Sequence, residues 1–151
     1  MRSVTLLPLV GLAFVCAACA DTTTSPRSSP SDAPRFARAH FVGDRSCTQD
    51  GSSLFCDFKV AGLGNISTAE VTVQAPFQCA KTNRGEQEVR PGGLASASES
   101  DVPVSNGQIT LTDFEVSGGR QCPGPFRPDF GGSATLIING VVIGEILISE
   151  G

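Results

Sequence analysis

Cysteine has the most chemistry to offer in this chain, which holds six of them in 151 residues. Cys16 and Cys19 fall in an apolar N-terminal run, and Cys47, Cys56, Cys79 and Cys122 are spread through the rest. The latter four could ligate a metal or close two disulfides. Spacing argues against a metal: the region holding them has no C-x-x-C, and His40 is the single histidine. No metal and no cofactor are therefore expected. An even set of cysteines in an exported chain implies disulfides, and four allow three connectivities. In RSCTQDGSSLFC a hairpin centred on Gly51-Ser52 places Cys47 directly opposite Cys56. A turn at Asp50-Gly51 would pair Cys47 with Leu54 instead. A cross-strand bond selects the first register, or a four-residue loop with the same centre. Cys79 then pairs with Cys122. Loop-closure entropy gives about 2.7 kcal/mol for the short loop and about 4 kcal/mol for the long one.

Other reactive side chains lack partners. His40, in ARAHFVG, has no visible acid or nucleophile beside it and reads as an edge-strand residue. Asp50, Asp57, Asp113, Glu115 and Asp129 could in principle make a carboxylate pair or a calcium site. Their spacing fits no calcium loop, and scattered acids are usually solvated. No G-x-S-x-G precedes a helix, so no serine is marked as a nucleophile. The expectation is that this is not an enzyme. Formal net charge is −4, and −5 once Arg2 is removed, which argues against nucleic acid as a partner. With no Trp, no Tyr and nine Phe, the chain also lacks the amphipathic rings on which sugars and bases stack.

The remaining candidate site is a pair of long segments, AKTNRGEQEVRPGG (80–93) and GGRQCPGPFRPDFGG (118–132), read as loops. A Cys79–Cys122 bond would join them. Arg84, Arg90, Arg120 and Arg127 would then lie close to Phe126 and Phe130. Loops on a rigid scaffold often carry binding, and arginine beside an apolar ring is a common hot-spot composition. The competing reading has Phe126 and Phe130 plugging the end of the fold. The arginines are then solvated or paired with Glu86, Glu88 and Asp129.

The elements that must hold these residues follow from punctuation and period. Residues 1–20, MRSVTLLPLVGLAFVCAACA, have the form of an export leader, with Arg2 ahead of an apolar run too short to span a bilayer. Ala18-Cys19-Ala20 suits ordinary signal peptidase. Cys16-Ala17-Ala18-Cys19 resembles the lipobox of bacterial lipoproteins, departing from it at Cys16, where that family prefers Leu. That resemblance implies a lipid anchor on Cys19, hence attachment to a membrane of the cell envelope; simple secretion is the alternative. Residues 21–35 are rich in Ser, Thr and Pro and read as a disordered tether.

From residue 36 to 151 the period becomes two. Leu54, Cys56, Phe58 and Val60 share one face of a strand, as do Val71, Val73, Ala75, Phe77 and Cys79 of another. In QITLTDFEVS (108–117) the apolar phase switches between Leu111 and Phe114, which predicts a bulge near Asp113. Asn106-Gly107 and Asn139-Gly140 mark tight hairpin turns. The second turn predicts Ile138 opposite Val141, Ile137 opposite Val142 and Leu136 opposite Ile143. Apolar residues on both sides of that hairpin predict cover on both faces for part of its length. No window holds a helical period. The expected fold is all-β: a small antiparallel β-sandwich, with a small β-barrel as the alternative, stabilised by disulfides.

The order GLGN (62–65), alternating strand, Cys79, Asn83, Gly85, Pro91-Gly92, Asn106-Gly107, Cys122-Pro123 is similar to that of a loose group of uncharacterised secreted bacterial proteins. It covers residues 58–130, and CAKTNRG carries two extra residues before its Asn. The resemblance implies an exported β-rich domain with a Cys79–Cys122 bond, and no activity or ligand. Three functions are expected in order: a tethered or secreted binding or adhesion module, a structural envelope protein without a specific ligand, and a hydrolase.

Overall fold

A computed structural model describes residues 38–118 and 121–150. The leader with Cys19, the tether and Arg120 lie outside the described residues. Nine strands follow one another: β1 His40–Phe41, β2 Ser46–Asp50, β3 Ser53–Ala61, β4 Thr68–Asn83, β5 Glu86–Pro103, β6 Gln108–Ser117, β7 Arg127–Phe130, β8 Ser133–Ile138 and β9 Val141–Glu150. No helix occurs among the described residues, so the all-β expectation holds.

Alternation explains the strands. Leu54, Cys56, Phe58 and Val60 of β3 are buried, as are Val71, Val73, Ala75, Phe77 and Cys79 of β4. The residues between them point outward, the division that a period of two produces. These side chains join Leu63, Ile109, Leu136, Ile138 and Ile146 in one contiguous cluster, and no polar or charged residue is buried among the described residues. The cluster draws on strands from both ends of the sheet, so removal of apolar surface from water ties the fold together.

The strand order is β1-β3-β2-β9-β8-β4-β5, with β6 also pairing β3 and β7 also pairing β4. It is one continuous path that does not close into a barrel. The expected all-antiparallel sheet is corrected at one seam. β9 outlasts the shorter β8, and its end runs parallel to β2, with Cys47 opposite Ile148 and Gln49 opposite Glu150. β9 thus lies between β8 and β2, and its Ile148 N–H also donates to the Gly132 carbonyl at 3.1 Å just ahead of β8.

Turns fix the registers. Asp50 faces Ser53 and Cys47 faces Cys56, so Gly51-Ser52 is the turn centre and the Cys47–Cys56 disulfide forms as the spacing required. Asn106 and Gly107 have φ of 52° and 71°, and Asn139 and Gly140 have 48° and 78°, the left-handed pairs of type I′ turns. Asp113, at φ 57°, sits in a bulge of β6 and its N–H donates to Asp57 Oδ1 at 2.8 Å. That extra residue lets Ile109, Phe114 and Val116 all face the core. A second bulge corrects the β8–β9 reading. Ile137 faces Val142 as expected, but Leu136 faces Gly144 rather than Ile143. A Cβ at Gly144 would press on Phe41 Cε2 at 3.0 Å, so any larger residue there makes that ring shift. Cover on the outer face of this hairpin is partial: Ile137 is half-buried there, while Val142 is 63% exposed and Leu147 76%.

Candidate functional site

Of the two segments expected to be loops, 80–93 is mostly strand, whereas 118–132 is loop among the described residues apart from β7. Residues 80–93 form the far half of a β4–β5 hairpin, closed by Arg84 (φ 52°) and Gly85 (φ 88°) with Asn83 opposite Glu86. This arm extends past the core: every residue from 86 to 94 is exposed, including Val89 (47%) and Leu94 (54%). At its base Phe77 faces Gly93 while Cys79 faces Arg90, so β5 carries one extra residue around Pro91-Gly92. A Cβ on Gly92 would collide with the Phe77 carbonyl, so this bulge can pack on β4 only with glycine. Proline fits beside it, because a bulge frees the strand from donating there.

The second segment contributes β7, which pairs with the opposite edge of β4, Phe77 to Phe130 and Cys79 to Pro128. The Cys79–Cys122 disulfide ties its approach to the same strand across 43 residues. On its other edge β7 has no strand beside residues 128–130; the side chain of Gln49 takes that place. Nε2 of Gln49 donates to the Pro128 carbonyl at 2.8 Å, and Phe130 N–H donates to Gln49 Oε1 at 2.9 Å.

Phe126 and Phe130 are 8% and 3% exposed, and Phe130 packs on Phe77 with ring centroids 5.8 Å apart. Both are part of the core. Arg90 lies over the Phe126 ring at 4.2 Å and pairs with Glu88 of its own hairpin at 2.9 Å, so it joins the arm to the approach of β7. Arg84 stands exposed at the tip of the arm, and Arg127 is exposed on β7. The structure thus unites Arg90 with Phe126; Arg90 is the one of these arginines that stacks over either ring among the described residues. His40 is exposed on edge strand β1, with Nδ1 at 2.8 Å from the Arg38 carbonyl. The acidic residues serve local contacts: Asp57 with the Asp113 N–H, Glu115 with Ser53 Oγ at 2.7 Å, and Asp129 with Gln87 Nε2 at 3.4 Å. Among the described residues no group of three or more His, Cys, Asp or Glu is placed to hold a metal.

A groove of about 420 Å³ runs between the β2–β3 turn, the arm and β7. Gln49, Lys81, Thr82, Gln87, Arg127 and Asp129 are among its lining residues. Of these the sequence singled out Arg127 and Asp129. Gln49 could not be found from spacing, since it meets Pro128 across 79 residues. The arm itself carried a readable signal: Arg84-Gly85 has a glycine at the second central turn position, although lysine, threonine and glutamate blur the alternation around it.

No family model, no curated protein and no solved structure matches this chain.

Proposed function

We propose that this chain is an exported binding module, anchored by lipid at Cys19 and carrying its ligand surface on the β4–β5 arm and β7. One observation carries the reading: a regular, register-paired arm reaches past the core with residues 86–94 all exposed. Ordered strands held away from the core gain little from burial, whereas a rigid exposed edge is what a partner can engage without first ordering it. Two disulfides are compatible with an exported or extracellular protein. The lipobox-like leader, the Ser/Thr/Pro tether and the likeness to secreted bacterial proteins support an envelope location. The membrane is a partner through the anchor alone. The reading invokes no nucleic acid, no cofactor and no catalytic step.

A structural protein without a specific ligand is the second reading. It is favoured by the burial of Phe126 and Phe130 and by the engagement of Arg90 with Glu88 and Phe126. A trimmed arm separates the two. Deleting Lys81-Thr82 and Gln87-Glu88, which face each other across the hairpin, shortens both strands by the same even step and keeps the turn and the faces. Loss of capture of envelope material by this variant is expected for a binding module. Undiminished capture, or none by either protein, is expected for a structural one.

A further inference from the structure

We propose that the groove beside β7 binds an acidic, hydroxyl-rich chain, a glycan bearing carboxylates or a polyol chain joined by phosphates, through Lys81 and Arg127. The inference rests on the reading of the arm end as a binding surface and names the ligand chemistry.

Charge is the first support. The described cations are Arg38, Arg45, Lys59, Lys81, Arg84, Arg90 and Arg127; the last four all lie on the arm and β7, against the three carboxylates Glu86, Glu88 and Asp129, with Glu88 opposite Lys81. Arg90 makes the only ion pair among the described residues, with Glu88. Lys81 and Arg127 line the groove together with one carboxylate, Asp129, whose oxygen faces the Gln87 amide at 3.4 Å. Both cations are available for a charge-assisted hydrogen bond, and arginine offers the fork that suits carboxylate or phosphate.

The rest of the lining selects the kind of acid. Thr82 and Gln87 offer a hydroxyl and an amide, partners for ligand hydroxyls. No aromatic side chain lines the groove, so it offers no face on which a flat ring or a bare sugar face would stack. An apolar ligand finds little there apart from Ala80 and the prolines Pro125 and Pro128. Recognition would run along a chain whose repeating groups are acids and hydroxyls.

Rigidity is the third support. Arg127 sits opposite Ala80 in the β4–β7 ladder. Its strand is clamped on one side by the Cys79–Cys122 approach and on the other by Gln49. Little backbone has to be ordered when a ligand arrives, and that saving goes into affinity.

The chain carries a formal charge of −4, so added salt would screen both the attraction in the groove and the repulsion elsewhere. The test therefore neutralises the ligand. Calorimetric titration of the whole exported chain would use a galacturonate oligosaccharide, its methyl ester and a glycerol-phosphate oligomer. We expect binding of at least one acidic probe and none of the ester. Lys81→Gln with Arg127→Gln should weaken acidic binding by about tenfold or more with melting temperature unchanged, as loss of two charge-assisted contacts implies. Binding of galacturonate alone identifies carboxylates, and binding of the phosphate oligomer alone identifies phosphates. Equal binding of the ester, binding of neither acid, or an unaffected double variant would overturn the inference. If the double variant captures envelope material like the wild type while the trimmed arm does not, the binding-module reading stands and this inference falls.

Discussion

Gln49 and Phe130 lie 81 residues apart in sequence, and one side-chain amide joins them: Phe130 N–H donates to Gln49 Oε1 at 2.9 Å while Nε2 of the same amide donates to the Pro128 carbonyl at 2.8 Å. The amide occupies the position a neighbouring strand would take, and it couples the β2–β3 hairpin to β7. Replacing Gln49 with Ala leaves a part-buried donor and acceptor unpaired. Urea unfolding should show a loss of about 1–3 kcal/mol, the range for orphaned backbone groups. Gln49→Glu keeps the acceptor for Phe130 N–H but sets a carboxylate oxygen against the Pro128 carbonyl, and should cost at least as much as Ala. A loss under about 0.5 kcal/mol for Gln49→Ala would mean that water replaces the amide at this edge.

The phenylalanines and the arginine over them should separate cleanly. Phe130, buried on Phe77, should cost about 3–5 kcal/mol on replacement by Ala, and Phe126 an amount near the lower end of that range. Arg90→Gln removes a cation over a ring and an ion pair whose side chains are both 53% exposed, so its effect should stay below about 1 kcal/mol. Denaturation of the three variants checks the order. An Arg90 variant as damaging as Phe126→Ala would make the guanidinium, and not the ring, the seal of this end.

Reduction of the two disulfides should cost unequal amounts. The bonds close spans of 9 and 43 residues. Chain entropy predicts a loss of about 4 kcal/mol for Cys79→Ser with Cys122→Ser and about 2.7 kcal/mol for Cys47→Ser with Cys56→Ser. Cys47, Cys56 and Cys79 are all buried, so serine places two hydroxyls in the core in the second pair and one in the first, and Ala in place of Ser isolates the entropic part. Non-reducing peptide mapping that joins Cys47 to Cys79 or Cys122 would contradict the register of β2 on β3.

Much of this architecture was legible because local chemistry and global fold agree. Asn139-Gly140 specified its turn, the Cys47/Cys56 spacing specified its register, and the phase switch in QITLTDFEVS specified the bulge at Asp113. Three features were not legible, each for a physical reason. The β2–β9 parallel seam sets Cys47 opposite Ile148, on strands from opposite ends of the described chain that no window contains together. The Ile143 bulge leaves no mark in the hydrophobic pattern, because Val141, Val142 and Ile143 run together as apolar residues of either face. The groove joins Gln49 to Lys81 and Arg127 only after β7 has docked on β4. Arg84, Arg90, Arg127, Phe126 and Phe130 were found as a set, and folding divides them into a capped core and two separate exposed cations.

The anchor has its own test. Cells producing the whole chain should yield a protein that partitions into detergent and whose N-terminal peptide carries acyl mass on Cys19. Cys19→Ala should move it to the aqueous phase without changing either disulfide. An unmodified N-terminus at Asp21 would assign the chain to simple secretion.

The central claim is that the exposed β4–β5 arm exists to bind. Capture of envelope material by the whole chain, compared between wild type and the variant lacking Lys81-Thr82 and Gln87-Glu88, tests it most directly. Because residues 86–88 are all exposed and the cut preserves register, the trimmed protein should melt within a few degrees of the wild type, about the shift that 1 kcal/mol produces. The account predicts that capture falls by about tenfold or more, the loss of a small cluster of anchoring contacts. Equal capture by a trimmed, fully folded protein would contradict it.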